Sequence, residues 1–197
     1  MMQSRYLPPY GAIDDIETEK EKVPKESWKE EEFMKDRVVF MEKEFEEDSC
    51  NTLKRQLLYL FTHDAQKPIT IYISSYGGST YDLISLYGLL QTAPCEIHTV
   101  ALGKCMSAGA YLLLMGDKRF AYPDTRIMFH EVSWSGPYDR LHDKKNDYKE
   151  AKHIQEILNK LVRRVTKIKN PEELFKEERF MSPEEAQKLE VIHKIVK

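Results

Sequence analysis

The sequence has few cysteines and no long apolar run. Its 197 residues include 3 cysteines, Cys50, Cys95 and Cys105, with no CxxC spacing. An odd, scattered set of thiols argues against a disulfide framework and a zinc site, and it favours a reducing compartment. No run reaches the roughly 18 apolar residues that a membrane helix needs, and the N-terminus lacks the apolar stretch of a secretory signal. We therefore expect a cytoplasmic protein without a membrane partner.

The sequence also lacks an excess of charge of either sign. The 30 basic and 33 acidic residues give a formal net charge of -3 and are largely interspersed. Such a surface has no overall field that would attract nucleic acid or anionic lipid. We therefore expect no nucleic-acid partner.

The composition is that of a folded globular chain. Hydrophobic residues make up 41% and charged residues 32% of the sequence. A chain of this length has enough apolar surface for one sizeable core. Residues 1–32 contain few large apolar side chains and many charges, so we expect them to form an N-terminal arm. Residues 33–197 are then the folded domain.

Apolar segments of two periodicities alternate along this domain. Short β-branched runs predict strands at residues 37–41, 69–74, 97–102 and 126–129. Between them, apolar positions at helical spacing predict helices that begin at Asp48 or Ser49, at Tyr81 and at Ala108. The first of these helices has an expected apolar stripe of Leu53, Leu57, Leu58 and Phe61. Strands and helices in alternation predict an α/β fold with a mostly parallel sheet.

The C-terminal third predicts two more helices. Apolar residues recur at steps of three and four from Asp147 to Ile168, which indicates a long amphipathic helix. Ser182-Pro183-Glu184-Glu185 has the features of a helix start, with a capping serine and a proline at the first helical position. Between His130 and the long helix, residues 131–145 mix aromatic and charged side chains, and we expect an interface element there.

Residues suited to catalysis follow three of the predicted strands. Gly77 and Gly78 come after the second strand, and without Cβ atoms they let backbone N–H groups approach a ligand. Ser107 follows the third strand at the start of an apolar helix, whose first N–H groups are unpaired. His130 follows the fourth strand and is the side chain best suited to accept a serine proton. Because ligands bind at the carboxyl ends of parallel strands, the combination predicts a serine hydrolase.

Each of these residues also has a purely structural interpretation. A serine before a helix is usually a cap, a histidine at a strand end is usually structural, and paired glycines often make a tight turn. The hydrolase interpretation therefore depends on all three features occurring at successive strand ends.

Four segments resemble one family, the ClpP proteolytic subunits. They are ITIYISSYGGST, GKCMSAGAYLLLMG, RIMFH and RFMSPEEA, and the resemblance extends from Arg37 to the end. It implies a ClpP/crotonase-like fold of repeated β-β-α turns, with the long helix as a protruding handle. It also implies a homo-oligomer of two stacked heptameric rings that encloses the active sites.

The resemblance also implies roles and partners. Ser107 corresponds to the nucleophile, His130 to the general base, and the N–H groups of Gly78 and Ala108 to the oxyanion hole. Substrate would lie along the glycine loop at Gly77 and Ser79. Unfolded polypeptides would be delivered by a hexameric Clp ATPase. The chain itself would need no cofactor or metal, and it has no GxxxxGK[ST] loop for ATP.

The sequence departs from the family pattern at several positions. Tyr76 replaces the usual proline of the glycine loop, and Ala108 replaces the usual methionine after the nucleophile. The N-terminal arm does not match the family's axial segment. The segment NPEELFKEERFM contains no aspartate where the family carries the third member of its triad. Three glutamates are candidates for that acid, and Glu178 is preferred because family members also have an acid two residues before the equivalent of Phe180; the other two are Glu173 and Glu177.

Three alternative functions compete with a serine endopeptidase. A non-catalytic, ClpR-like ring subunit would keep the fold, and the missing aspartate favours it, whereas Ser107 and His130 argue against it. A crotonase-type acyl-CoA enzyme would share the backbone oxyanion hole but would use carboxylates. A signal-peptide peptidase with a serine and lysine dyad would need a membrane anchor.

Overall fold

The computed structural model describes residues 27–133 and 141–196. The strands are β1 Val38–Met41, β2 Ile69–Ser75, β3 Ile97–Met106, β4 Lys118–Ala121, β5 Arg126–Phe129, β6 Arg179–Met181 and β7 Lys194–Ile195. The helices are α1 Ser27–Lys35, α2 Glu47–Thr62, α3 Thr80–Gln91, α4 Ala108–Leu114, α5 Leu141–Val165, α6 Pro171–Leu174 and α7 Pro183–Lys188. The first 26 residues of the expected arm, and residues 134–140 of the expected interface element, lie outside the described residues.

The strands form one mixed sheet that is mainly parallel. The order is β1-β2-β3-β4-β7, with all four of these pairings parallel, and β5 also pairs in parallel with β3. Strand β6 pairs with β5 in the antiparallel direction. Helices α2, α3 and α4 connect successive strands, as parallel neighbours require. The α/β class predicted from the sequence is confirmed.

The core is built from every second residue of the central strands, because side chains alternate between the two faces of a sheet. In β2, Ile69, Ile71 and Ile73 are fully buried, while the residues between them are partly exposed. Helix α2 covers this face with Cys50, Leu53, Leu57 and Leu60. Burying each large aliphatic side chain contributes roughly 1.5–3 kcal/mol. The site lies at the carboxyl ends of β2, β3 and β5, above this core.

The structure corrects the predicted start and stripe of α2. The helix begins at Glu47, and Ser49 is its third residue, where its hydroxyl accepts a hydrogen bond from the Glu46 N–H at 3.2 Å. Leu58, which was expected in the buried stripe, is 48% exposed. The buried stripe uses Leu60 instead, because steps of three and four residues from Cys50 reach it and pass Leu58 on the outer side.

Strand β3 is longer than predicted, and β4 was missed. The first half of β3 pairs with β4, and from Lys104 onward it pairs with β5. Between the two halves lies Gly103, whose φ of +68° is a conformation that glycine adopts without strain. Strand β4 carries no apolar alternation that would reveal it, because one of its buried positions is Arg119.

The long helix α5 begins six residues earlier than predicted and ends at Val165. From Lys145 onward, its first buried position is Ile154, and Tyr148 is 68% exposed. Residues 145–153 of the helix therefore include no buried side chain, as expected for a protruding helix. At the other end of the chain, Ser182 caps α7 as predicted, with its hydroxyl accepting from the Glu185 N–H at 3.3 Å.

Candidate active site

Ser107 lies at a sharp strand-to-helix turn. It follows the last residue of β3 and precedes the first residue of α4. Its backbone has φ 51° and ψ -122°, a conformation that L residues rarely adopt and that costs on the order of 1–3 kcal/mol. Its hydroxyl makes no cap hydrogen bond to α4, so the structural interpretation of Ser107 as an N-cap side chain is wrong. Such a turn exposes the hydroxyl at the end of the sheet.

The pairing of β3 with β5 brings His130 to Ser107. Met106 lies opposite Met128, and the Ser107 N–H donates to the Met128 carbonyl at 2.8 Å. His130 follows two residues later, just past the end of β5. Its Nε2 is 2.8 Å from Ser107 Oγ. With the ring proton on Nδ1, the serine hydroxyl donates to Nε2, which is the arrangement needed for proton removal.

The glycine loop packs directly against the turn at Ser107. Gly77 has φ +113°, and a Cβ at this position would lie 2.7 Å from Ser107 Cβ and 3.1 Å from the Ala108 nitrogen. Only glycine therefore allows this close approach. The loop is also held from the other side, because the Ser75 hydroxyl accepts from the Gly77 N–H at 3.1 Å and donates to the Lys43 carbonyl at 2.6 Å.

Gly78 forms a parallel bridge with Phe45. The Phe45 N–H donates to the Gly77 carbonyl, and the Ser79 N–H donates to the Phe45 carbonyl, at 2.7 and 2.6 Å. In this pattern the N–H of Gly78 points away from Phe45. Gly78 and Ala108 both border the same pocket as Ser107. The two predicted oxyanion donors are thus brought to one site.

The pocket around Ser107 has a volume of about 320 Å³. Its apolar lining comes from Leu83, Tyr111, Val132 and Leu158. Ser79, predicted to bind substrate, also borders the pocket and is the N-cap of α3, where its hydroxyl accepts from the Asp82 N–H at 3.3 Å. Gly77 lies behind Ser107 and is buried.

The predicted acid, Glu178, lies next to the strand that pairs with β5. Arg179 is opposite Phe129 in the antiparallel ladder, so continuing that register by one residue brings Glu178 opposite His130. The carboxylates of Glu178, Glu177 and Glu173 are exposed. Within the described residues, no acidic side chain makes a hydrogen bond with His130. The assignment of Glu178 stays a prediction.

Several residues beside the site were not singled out in the sequence. Tyr111 borders the pocket, and burial raises its pKa to about 12, an effect that the neighbouring Gln155 side chain partly offsets. Gln155 lies on α5 and accepts a hydrogen bond from the Val132 N–H at 2.7 Å. Tyr111 had the pattern of an ordinary apolar helix residue, and Gln155 that of a polar residue on an amphipathic helix, so no sequence signal distinguished them.

Cys105 is the thiol nearest to Ser107 in the sequence, and it is unsuited to act as a nucleophile. It is fully buried, and this burial raises its pKa, which disfavours the thiolate. Its Sγ donates to the Gly109 carbonyl at 3.3 Å. Burial therefore argues against a thiolate of Cys105 as the reactive group of the site.

In the described part of the chain, no group of three or more His, Cys, Asp or Glu side chains is arranged to hold a metal ion. Among the same residues, no helix is both long and apolar enough to cross a lipid bilayer.

A protein-family model matches most of this chain. The model is described as Clp protease, and it matches residues 22–197. The matched region includes all the described strands and helices, together with Ser107, His130 and the glycine loop.

Proposed function

Because the chain belongs to the Clp protease family, we propose that it is a serine endopeptidase with Ser107 as nucleophile and His130 as general base. The chain has the ClpP/crotonase-like α/β fold of this family. Its membership of the family identifies it as a Clp-type peptidase subunit. The observation that carries the catalytic assignment is the 2.8 Å contact between Ser107 Oγ and His130 Nε2 at a strained turn.

The reaction follows from this geometry. His130 Nε2 takes the hydroxyl proton as Ser107 Oγ attacks the peptide carbonyl, and then gives that proton to the leaving amine. The negative charge on the former carbonyl oxygen is held by the N–H groups of Gly78 and Ala108. Removing one such donor typically lowers the rate by about 100- to 1,000-fold. Water then attacks the acyl-enzyme, again with His130 as base, and releases Ser107.

The pocket supports an extended peptide as substrate. The end of the glycine loop, at residues 78–80, borders the pocket, and so do residues 131–133. A chain that lies between two backbone segments is recognised by its own backbone, which suits cleavage of many sequences. Unfolded polypeptides are therefore the proposed substrates.

The proposed assembly follows the family, whose members form oligomeric rings that work with Clp ATPases. We propose that this chain forms stacked heptameric rings, with α5 as the handle between them and the N-terminal arm as a possible axial segment. ATP would be hydrolysed by a hexameric partner. This chain would then need no cofactor of its own, and the proposed compartment is the cytoplasm.

Glu178 is the proposed orienting acid. The register of β6 against β5 supports it, since one further step of this register would bring Glu178 opposite His130. A glutamate there would accept the Nδ1 proton of the imidazole and stabilise the imidazolium that forms during attack.

Fluorophosphonate labelling tests the proposal, because this electrophile reacts only with an activated serine. We expect an adduct on Ser107 in the wild type, found by peptide mapping, and no adduct after His130→Ala or Ser107→Ala. The same two variants should lose peptide hydrolysis. A Ser107→Ala variant that cleaves peptides at the wild-type rate would show that the mechanism is wrong.

A non-catalytic ring subunit is the alternative function. It is favoured by one observation, namely that no carboxylate in the described residues hydrogen-bonds to His130. A folded wild-type protein of ring size that takes no label at Ser107 would support this alternative. An adduct on Ser107 would exclude it.

A further inference from the structure

The segment directly after His130 forms one wall of the pocket. Residues 131–133, here named the wall segment, all border the pocket that contains Ser107. Glu131 and Val132 also border a second cavity of about 870 Å³ that runs along α5. The wall segment is therefore a thin partition with open space on both sides. Its position needs to be held by contacts from outside the segment.

A hydrogen bond from α5 reaches the backbone of this wall. The Val132 N–H donates to Gln155 Oε1 at 2.7 Å. Within residues 27–133 and 141–196, no other hydrogen bond involves the backbone of the wall segment. The Val132 side chain adds apolar packing against the core. Gln155 thus supplies the directional contact that sets how far the wall lies from the glycine loop.

Gln155 is itself held in place. Its Nε2 donates to Asn159 Oδ1, one helical turn further along α5, at 2.9 Å. Asn159 is only 3% exposed, so burial limits the access of water to its end of this hydrogen bond. Both ends of the Gln155 amide are therefore engaged, which restricts its rotamers and orients Oε1 toward the wall.

We propose that Gln155 is a positioning residue for peptide substrates, which holds the wall segment at the spacing that an extended chain needs. This inference rests on the proposed peptidase function. Gln155 touches neither reacting group, so its effect should fall on peptides that contact the wall. A small electrophile that contacts mainly Ser107 and His130 should be little affected. A general loss of folding would affect both kinds of reagent alike.

Three variants of the full-length chain test the proposal. Gln155→Leu removes the hydrogen bond while nearly keeping the side-chain volume, and Gln155→Glu keeps an oxygen acceptor for the Val132 N–H. In the second variant the Asn159 amide can turn and donate its own N–H to the new carboxylate. The matched control is Gln187→Leu, which loses a similar contact, from Gln187 Nε2 to the His193 carbonyl at 3.0 Å, on helix α7, whose residues border neither of the two cavities.

The first readout compares peptide cleavage with active-site labelling. For a peptide of several residues on each side of the cut, Gln155→Leu should lower kcat/KM by about tenfold, mostly through KM. The rate of fluorophosphonate labelling at Ser107 should stay within about twofold of the wild type. Gln155→Glu should recover most of the peptide activity. Equal losses in both assays, or no loss for peptides, would overturn the proposal.

The second readout does not depend on activity. Hydrogen exchange at the Val132 amide should be about tenfold faster in Gln155→Leu than in the wild type, and unchanged in Gln187→Leu. Unchanged exchange at Val132 would overturn the proposal even if Ser107 is labelled. Conversely, absence of labelling in the wild type would count against the proposed function alone, since the exchange result would still decide the role of Gln155.

Discussion

Replacing Gly77 by alanine should disturb the packing of the glycine loop against Ser107. The new Cβ would lie 2.7 Å from Ser107 Cβ and 3.0 Å from the Met106 carbonyl oxygen. Carbon atoms in contact normally lie about 3.5–4.0 Å apart, so the loop or the serine must move by about 1 Å. In addition, the φ of +113° costs a residue with a Cβ on the order of 1–3 kcal/mol.

Both effects have measurable consequences. A displacement of about 1 Å at the reacting groups typically lowers catalysis by about 100-fold. We expect Gly77→Ala to slow fluorophosphonate labelling of Ser107 by that factor. The free energy of unfolding, measured in urea, should fall by about 2–4 kcal/mol from backbone strain and crowding together.

Gly88 provides a matched control for the same substitution. It lies on α3, and a Cβ added there has no neighbour within 4 Å. Gly88→Ala should leave labelling unchanged and raise stability by about 0.5–1 kcal/mol, because alanine loses less entropy in a helix. If Gly77→Ala labels at the wild-type rate and unfolds at the wild-type urea concentration, the close packing of the glycine loop on Ser107 would be refuted.

Three further predictions concern the acid, a buried arginine and pH. Glu178→Gln should lower kcat by about tenfold or more, with Glu177→Gln near the wild type; equal values for the two would remove Glu178 from the mechanism. Arg119 is 4% exposed and donates to the carbonyls of Gly116, Val165, Glu190 and Val191. Arg119→Met should therefore cost about 3–5 kcal/mol of unfolding free energy in urea, against under about 1 kcal/mol for the exposed Lys118→Met, and similar losses would contradict this assignment. In the folded chain, burial and the charge of Arg119 lower the pKa of His193 below 6.5. As the pH falls, His193 therefore takes up a proton more readily in the unfolded chain than in the folded one. Folding stability is then lost as the pH falls below 6.5. His193→Asn keeps an acceptor for the Arg119 N–H and should reduce this pH dependence in urea titrations, whereas an unchanged slope would exclude His193 as its source.

Much of the site could be predicted because its chemistry follows the strands. Gly78, Ser107 and His130 each come after a β-rich run, and a parallel sheet places the carboxyl ends of its strands at one edge. The apolar periods of β2 and α4 were also visible, since nearly all their buried positions carry apolar side chains. Composition and period thus determined the class of the fold and the residues near its reactive edge.

Other features had no local signal. Strand β4 was hidden because Arg119 occupies a buried position and is satisfied by carbonyls that lie far away in the sequence. Strand β3 changes its pairing from β4 to β5 around Gly103, whose φ the sequence does not specify. The predicted start of α5 was too late because residues 141–146 carry no apolar residues at regular helical spacing.

The amino-acid sequence by itself determined the secondary-structure periods, the mostly parallel α/β class and the pair Ser107 and His130 as candidates for serine chemistry. Only the tertiary structure decided that Oγ and Nε2 lie 2.8 Å apart, that Gly77 packs against Ser107, and that Gln155 reaches Val132. The physical reason is that hydrogen bonds and close contacts depend on distances of a few tenths of an ångström between segments distant in sequence. Those distances are set by strand register and helix packing together, and no local pattern of residue types specifies them.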